Sequence, residues 1–256
     1  MTQSAHQPIA LVTGASAGFG RAICIRLVRD GYRVIAAARR MEPLLELQQQ
    51  YGDAVFPVSL DVRDEQAIAE TKQSLPDSWR NIDVLVNNAG LALGISKVQD
   101  ADVSDWKTMI DTNITGLALV THAFLPDMVA RKRGLIINLG SVAGKYPYPG
   151  CNVYGSTKAF VAHFTRNLRA DLAGTGVRVT DIQPGLCGGT EFSLTRFHGD
   201  QEKADAVYVG THPLSPDDIA EAVAWVAAQP PHVNINAIEL MPTSQSFAGF
   251  SFTRTA

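Results

Sequence analysis

Much is missing from this sequence, and each absence excludes a class of protein. Cysteine is scarce: Cys24, Cys151 and Cys187 are far apart in 256 residues and form no CxxC pair. No disulfide framework is expected, and a reducing, cytoplasmic setting is. The six histidines are scattered without HxH or HxxxH spacing, so no metal site is expected. No apolar run approaches the roughly 18 residues of a membrane span. Met1 to Gln7 lacks the basic start and apolar core of a secretory leader, so none is expected. Nor is there a surplus of positive charge. Lys and Arg number 22 against 25 Asp and Glu, a net charge of −3 with His neutral. Nucleic acid and anionic membrane surfaces select for a basic surplus, so neither is expected as a partner.

What is present is a regular alternation. With 46% hydrophobic and 18% charged residues the chain has the composition of a packed globule. Apolar, β-branched runs suggest strands at Ile9–Thr13, Arg33–Ala38, Val55–Leu60, Val84–Asn87, Leu135–Leu139, Val177–Gln183 and Ala237–Met241. Helical patterns fall between them at Phe19–Asp30, Pro43–Tyr51, Asp64–Ser74, Ser104–Arg131, Asn152–Ala173 and Pro216–Ala228. Gly31 reads as a helix stop. Ser215-Pro216-Asp217-Asp218 reads as an N-cap, an N1 proline and an acidic first turn. Strand–helix alternation of this kind makes an α/β, doubly wound parallel sheet with helices on both faces. With no linker and no repeat, residues 1–256 are expected to form a single domain. The one long irregular stretch, Pro184–Gly199, lies within a wider segment reaching to about residue 212. It follows a strand's carboxyl end, where open α/β sheets bind ligands.

The first strand runs into Thr13-Gly14-Ala15-Ser16-Ala17-Gly18-Phe19-Gly20 and then a helix. Glycines let a backbone approach a pyrophosphate, and a helix N-terminus offers free N–H groups. Gly14, Ser16, Ala17, Gly18, Phe19 and Gly20 are therefore candidate dinucleotide contacts, against the plainer reading of a glycine-rich turn. The second strand ends in Ala38-Arg39-Arg40, where an NAD site usually places Asp or Glu. Guanidinium forks suit a 2′-phosphate, which favours NADP. The alternative is a solvated basic turn pairing with Glu42 or Glu46.

Tyr154 and Lys158 are four residues apart, on one helix face. Ser141 follows the fifth strand. Oxidising an alcohol by hydride transfer also requires removal of the hydroxyl proton, and a phenol of pKa about 10 is a poor base at neutral pH. A neighbouring ammonium and a positively charged nicotinamide can lower it. Tyr154 is thus the candidate acid/base, Lys158 its electrostatic support, and Ser141 the group that orients the reacting oxygen. Asn113, mid-helix where an amide is not helix-promoting, either holds a proton-relaying water or is a buried structural amide.

Together, Thr13-Gly-x-x-x-Gly-x-Gly20, Asn87-Asn-Ala-Gly90, Ser141, Tyr154-x-x-x-Lys158 and Pro184-Gly185 resemble the short-chain dehydrogenase/reductase family over the whole chain. The resemblance implies a seven-stranded Rossmann-like sheet and a catalytic set of Asn113, Ser141, Tyr154 and Lys158. It also implies adenine contacts from Asp61 and Val62, a cofactor wall from Asn88, Ala89 and Gly90, and nicotinamide contacts from Pro184, Gly185 and Thr190. Lys158 would also hold the nicotinamide ribose. Thr190 is one position later than the family's usual threonine. Gly155 replaces the family's alanine, at about 1 kcal/mol of helix propensity, which points to a close approach there. Arg196-Phe-His-Gly-Asp200, Asn234-Ile-Asn236 and Met241-Pro242 resemble the bacterial branch acting on serine, L-allo-threonine and other 3-hydroxy acids with NADP, typically as homotetramers.

A hydroxy acid needs a cation for its carboxylate. Arg196 is the candidate, with Lys145, Lys203 and Arg254 behind it; the plainer reading pairs Arg196 with Glu191 or Asp200. Gly188 and Gly189 are expected to shape the small-molecule pocket, beside Ser141 and Tyr154. Phe247, Phe250 and Phe252, in the polar tail 242–256, suggest a subunit interface or a fold-back onto the chain's own core. Two other functions fit the same residues less well: a reductase of neutral ketones or aldehydes, and a non-catalytic NADP(H) sensor.

Overall fold

The computed structural model describes residues 7–247. The strands are β1 (Ile9–Thr13), β2 (Arg33–Ala38), β3 (Val55–Ser59), β4 (Val84–Asn87), β5 (Gly134–Leu139), β6 (Val177–Pro184) and β7 (Ala237–Leu240). They form one seven-stranded sheet in the order β3-β2-β1-β4-β5-β6-β7, and every pairing is parallel. The order reverses between β1 and β4. That switch opens a crevice at the carboxyl ends of the two strands.

Alternate residues of each strand enter opposite cores. Ala10 and Val12 of β1 pack with Ile23, Leu27, Leu44, Ile219 and Val223, on the side of α1 (Gly18–Arg29), α2 (Glu42–Tyr51) and a later helix, Pro216–Ala227. Ile9 and Leu11 pack with Ile68, Val120, Phe124, Met128 and Leu168. These belong to α3 (Glu65–Ser74), α5 (Leu117–Ala130) and α6 (Asn152–Asp171), with α4 (Val103–Ile110) preceding α5. The Pro216 helix begins with a capping box between Ser215 and Asp218. Gly31, at φ +86°, follows α1 in the left-handed conformation expected of a helix stop.

The structure departs from the sequence reading in two places that matter to the site. The single helix expected over Ser104–Arg131 is interrupted by a π-helical turn, Asp111–Gly116. The stretch expected to be irregular after Pro184 contains a short helix α7 (Phe192–Arg196), followed by α8 (Gln201–Ala206). Five and six residues are too few to show a helical period in the sequence. The Pro216–Ala227 helix is α9.

Candidate active site

A cleft of about 930 Å³ runs along the carboxyl ends of the strands, under α7. Gly14 and Gly18 have φ of +67° and +50°, a region L-residues rarely adopt. Gly20 is limited by space instead: a Cβ there would stand 2.2 Å from the Gly14 carbonyl oxygen. Asn88 donates from Nδ2 to the Thr13 carbonyl at 2.9 Å. Thr13 Oγ1 accepts from the Asn88 and Ala89 N–H groups, both at 3.0 Å. The turn is thus tied to the end of β4. Among the described residues, no side chain caps the N-terminus of α1, and its first turn carries no acid. Free N–H groups and an uncompensated helix dipole remain there for an anion. Gly14, Ser16, Ala17, Gly18 and Phe19 line the cleft, whereas Gly20 lies behind the turn.

Arg39 and Arg40 line the end of the cleft beside β2 and β3, with Asp61 and Val62. Neither alternative partner holds Arg40, which makes a forked pair with Glu191 at 2.6 Å and 3.1 Å; Glu46 is paired with Arg21. Asp61 binds Arg63, and that guanidinium holds its carboxyl below the usual range.

At the other end stand Ser141, Tyr154 and Lys158. Ser141 Oγ accepts from the Ala143 N–H at 3.1 Å and donates to the Pro184 carbonyl at 3.3 Å. Burial pushes the Tyr154 phenol well above its ordinary range, while a hydrogen bond with Ser141 draws it down. Lys158 Nζ is buried and donates to the Leu139 carbonyl at 2.7 Å. Burial lowers its pKa to about 8, with the Asp181 carboxylate opposing. Gly155 has its close approach: a Cβ would meet Cys151 Sγ at 2.5 Å and the Ala143 carbonyl at 2.9 Å.

Asn113 is buried in the π turn. Its Nδ2 donates to the Leu91 carbonyl at 2.8 Å and to Thr157 Oγ1 at 3.0 Å, and its Oδ1 accepts from the Leu91 N–H at 2.9 Å. It is absent from the cleft wall. Gly90 joins it to the lysine, since a Cβ on Gly90 would lie 3.2 Å from Asn113 Oδ1 and 3.5 Å from Lys158 Nζ.

Asn88, Ala89, Gly90, Pro184, Gly185 and Thr190 line the cleft. Thr190 packs against Gly18, where a Cβ would meet its Cγ2 at 3.2 Å. The expectation for Gly188 and Gly189 needs correction. Both lie off the wall, facing Pro213 and Pro216, because the Gly188 N–H binds the Leu214 carbonyl at 2.8 Å and turns this stretch toward α9.

Arg196 pairs with neither Glu191 nor Asp200. Its Nε donates to the Gly94 carbonyl at 3.2 Å and its Nη2 to the Tyr148 hydroxyl at 3.0 Å. The guanidinium lies 5.6 Å from the centre of the Tyr154 ring. Lys145 and Lys203 are engaged by Glu239 and Asp200, and Arg254 lies outside the described residues. Tyr148, Phe192, Tyr208 and Gln245 also line the cleft. The sequence marked none of them, since only the folded chain brings them here. Phe247, 60% exposed, packs on Tyr146 with centroids 4.6 Å apart; Phe250 and Phe252 lie outside the described residues. Among the described residues there is no metal-binding cluster, and no helix is long and apolar enough to cross a membrane.

This arrangement can hold a dinucleotide along the glycine turn and present a phenol, an ammonium and a hydroxyl at its far end, the equipment for moving a proton as a hydride moves. Comparison with known proteins agrees. The chain is 60% identical over 247 residues to an NADP-dependent 3-hydroxy acid dehydrogenase of Salmonella typhi, covering 96% of this chain and 100% of that one. It is 53% identical over 244 residues to a serine 3-dehydrogenase of Rhizobium radiobacter, covering 95% and 97%. Its fold superposes with a TM-score of 0.95 on the closed form of a serine dehydrogenase complexed with NADP+, at 57% identity, covering 96% of this chain and 100% of that chain. The family model for short chain dehydrogenases matches residues 8–201, and the chain belongs to that family.

Proposed function

We propose that this enzyme transfers a hydride between NADP and the C3 hydroxyl or carbonyl carbon of a small 3-hydroxy acid such as serine. The cofactor choice is supported by the end of β2, where Arg39 and Arg40 replace the usual carboxylate, and by the NADP-dependent relatives. The residues that would hold the cofactor are the glycine turn and the N-terminus of α1 for the pyrophosphate, Arg39 and Arg40 for the 2′-phosphate, and Asn88–Gly90 and Pro184–Gly185 for the remainder. When bound, NADP+ would supply the hydride acceptor and a positive charge at the catalytic end of the cleft.

With the bound cofactor's positive charge and Lys158 offsetting the burial that raises its phenol, Tyr154 as phenolate would take the hydroxyl proton while the carbinol carbon passes its hydride to the nicotinamide, leaving a carbonyl. Ser141 orients the reacting oxygen. Lys158 stabilises the phenolate by charge, and a pKa of about 8 leaves it mostly an ammonium at neutral pH. Asn113 acts through the Leu91 backbone and Thr157, fixing α6 against the loop after β4. The same reading includes a cytoplasmic homotetramer, and the exposed Phe247 ring supports burial against another subunit.

The substrate class is carried by one observation. Arg196 presents a guanidinium beside the Tyr154 ring with no carboxylate among its hydrogen-bond partners. A charge-assisted bond of this kind is worth about 1.5–3 kcal/mol. Arg196→Met should therefore raise KM for 3-hydroxypropionate or serine by roughly ten- to a hundred-fold, with 1-propanol oxidation unchanged. Initial rates of NADP+ reduction test this. Equal effects on acid and alcohol would instead favour a reductase of neutral carbonyl compounds.

A further inference from the structure

Glu191 brings a negative charge into the part of the cleft that a 2′-phosphate needs. It directly precedes α7, and its two carboxylate oxygens take both arms of the Arg40 guanidinium, at 3.1 Å and 2.6 Å. The arm that makes the shorter bond is also 3.3 Å from Ser16 Oγ, on the glycine turn. All three residues line the cleft. Both ion-pair partners are about half exposed, at 53% and 55%, so the contact is held by fork geometry and not by burial.

We propose that Glu191 is a specificity-determining residue that competes with the 2′-phosphate for Arg40 and so lowers the enzyme's preference for NADP over NAD. This rests on reading Arg39 and Arg40 as the phosphate ligands. Glu191 occupies the Nη1/Nη2 fork of Arg40, and a phosphate that takes the same fork displaces it. The unphosphorylated cofactor has a 2′-hydroxyl instead, which donates to a carboxylate, the contact NAD-binding folds usually take from the end of their second strand. In this chain that carboxylate comes from the far side of the cleft. The pair also ties the start of α7 to the wall beside β2, while Arg196 ties its end to Gly94. Arrival of the phosphate thus frees one end of the element that carries the substrate-side arginine.

The test is equilibrium titration of NADP+ and NAD+ against the full-length wild type, Glu191→Gln, Arg40→Ala and the double variant. Glu191 is exposed and its replacement leaves no buried gap. Glu191→Gln is expected to bind NADP+ about three- to fivefold tighter, the scale of an exposed ion pair, and NAD+ no tighter. In the Arg40→Ala background the gain should vanish. An unchanged or weakened NADP+ affinity, an equal gain for NAD+, or a gain that persists without Arg40 would each overturn the proposal. If Arg40→Ala alone leaves NADP+ affinity intact, the phosphate reading itself fails and this inference falls with it.

Discussion

On the cofactor side of the cleft, buried backbone meets buried backbone: β1 and β4 are adjacent strands, and Thr13 and Asn88 bond their ends together. On the substrate side, the segment after β6 is held at separate points. Gly188 and Leu186 are tied to Leu214, Ser193 meets Tyr208 at 2.6 Å, His198 meets Asp105 at 3.1 Å, and Glu191 and Arg196 reach to opposite walls. Two of these ties, Glu191 to Arg40 and His198 to Asp105, are exposed side-chain contacts, each worth little alone. The first wall is held by main-chain pairing and side-chain-to-backbone bonds between the ends of β1 and β4, and the second largely by contacts between loop residues and side chains. A rigid wall suits a cofactor common to many reactions. An adjustable one suits a substrate that must be enclosed and released.

The largest expected effect lies where the two walls meet. Tyr154→Phe should lower kcat by about 10²- to 10⁴-fold, the usual contribution of a positioned acid/base, while NADP+ affinity changes little. Retained turnover would break the assignment of Tyr154 as the acid/base. Next comes the rigid wall. Gly20→Ala pushes a methyl against the backbone carbonyl of Gly14, which cannot move aside, and against Asn88 Nδ2, whose hydrogen bond to Thr13 would have to break for it to turn away. A stability loss of about 1–3 kcal/mol is expected, with weaker cofactor binding, read by thermal melting and by titration. If Gly20→Ala melts like wild type, the stiffness claimed for this wall is wrong.

A smaller effect concerns charge. The Lys158 pKa is about 8 in the fold and about 10.4 in an unfolded chain. Between these values the unfolded chain binds the extra proton, so stability from this group rises with pH across that window and is lost as pH falls through 8. The full penalty is at most about 3 kcal/mol, and the hydrogen bond to Leu139 offsets part of it. Lys158→Met without cofactor should therefore melt about 2–4 °C higher than wild type at pH 7. The gain should shrink toward zero by about pH 10.5. A gain independent of pH would assign the effect to packing instead.

The two walls also differed in how far they could be read from the sequence. All seven strands were legible within about one residue, the first six because they are written as near-continuous apolar runs; β7, half-exposed along its length, is not such a run. The glycine turn and the Tyr154/Lys158 pair stood out by local spacing, and the fold places them with Ser141 in one cleft. Gly155 announced a close approach by its cost to the helix, though not that Cys151 and Ala143 were the neighbours. The substrate wall was harder. Glycines at 188 and 189 signalled tight backbone without saying that Pro213 and Pro216 lay opposite. The partners of Arg40 and Arg196 lie 151 and 102 residues away along the chain for Glu191 and Gly94, beyond any local pattern. Asn113 did leave a trace, a polar amide inside a helical run, which is where the π turn formed.

That turn has a geometric consequence. A π turn holds one residue more than an α turn, so the helix beyond it is rotated by about 100° relative to the helix before it. α4 and α5 therefore cannot share one apolar stripe: Met109 packs beside Tyr154, whereas Val120 and Phe124 face the sheet. At the shift itself, Asn113 bonds Leu91, beside the end of the cleft with Tyr154, and Gly116 lies so close to Val62, at the end with Arg39 and Arg40, that a Cβ would be 2.8 Å from its Cγ2. One inserted residue thus works as a spacer gauge for both ends of the cleft, and deleting it would put the two out of phase together.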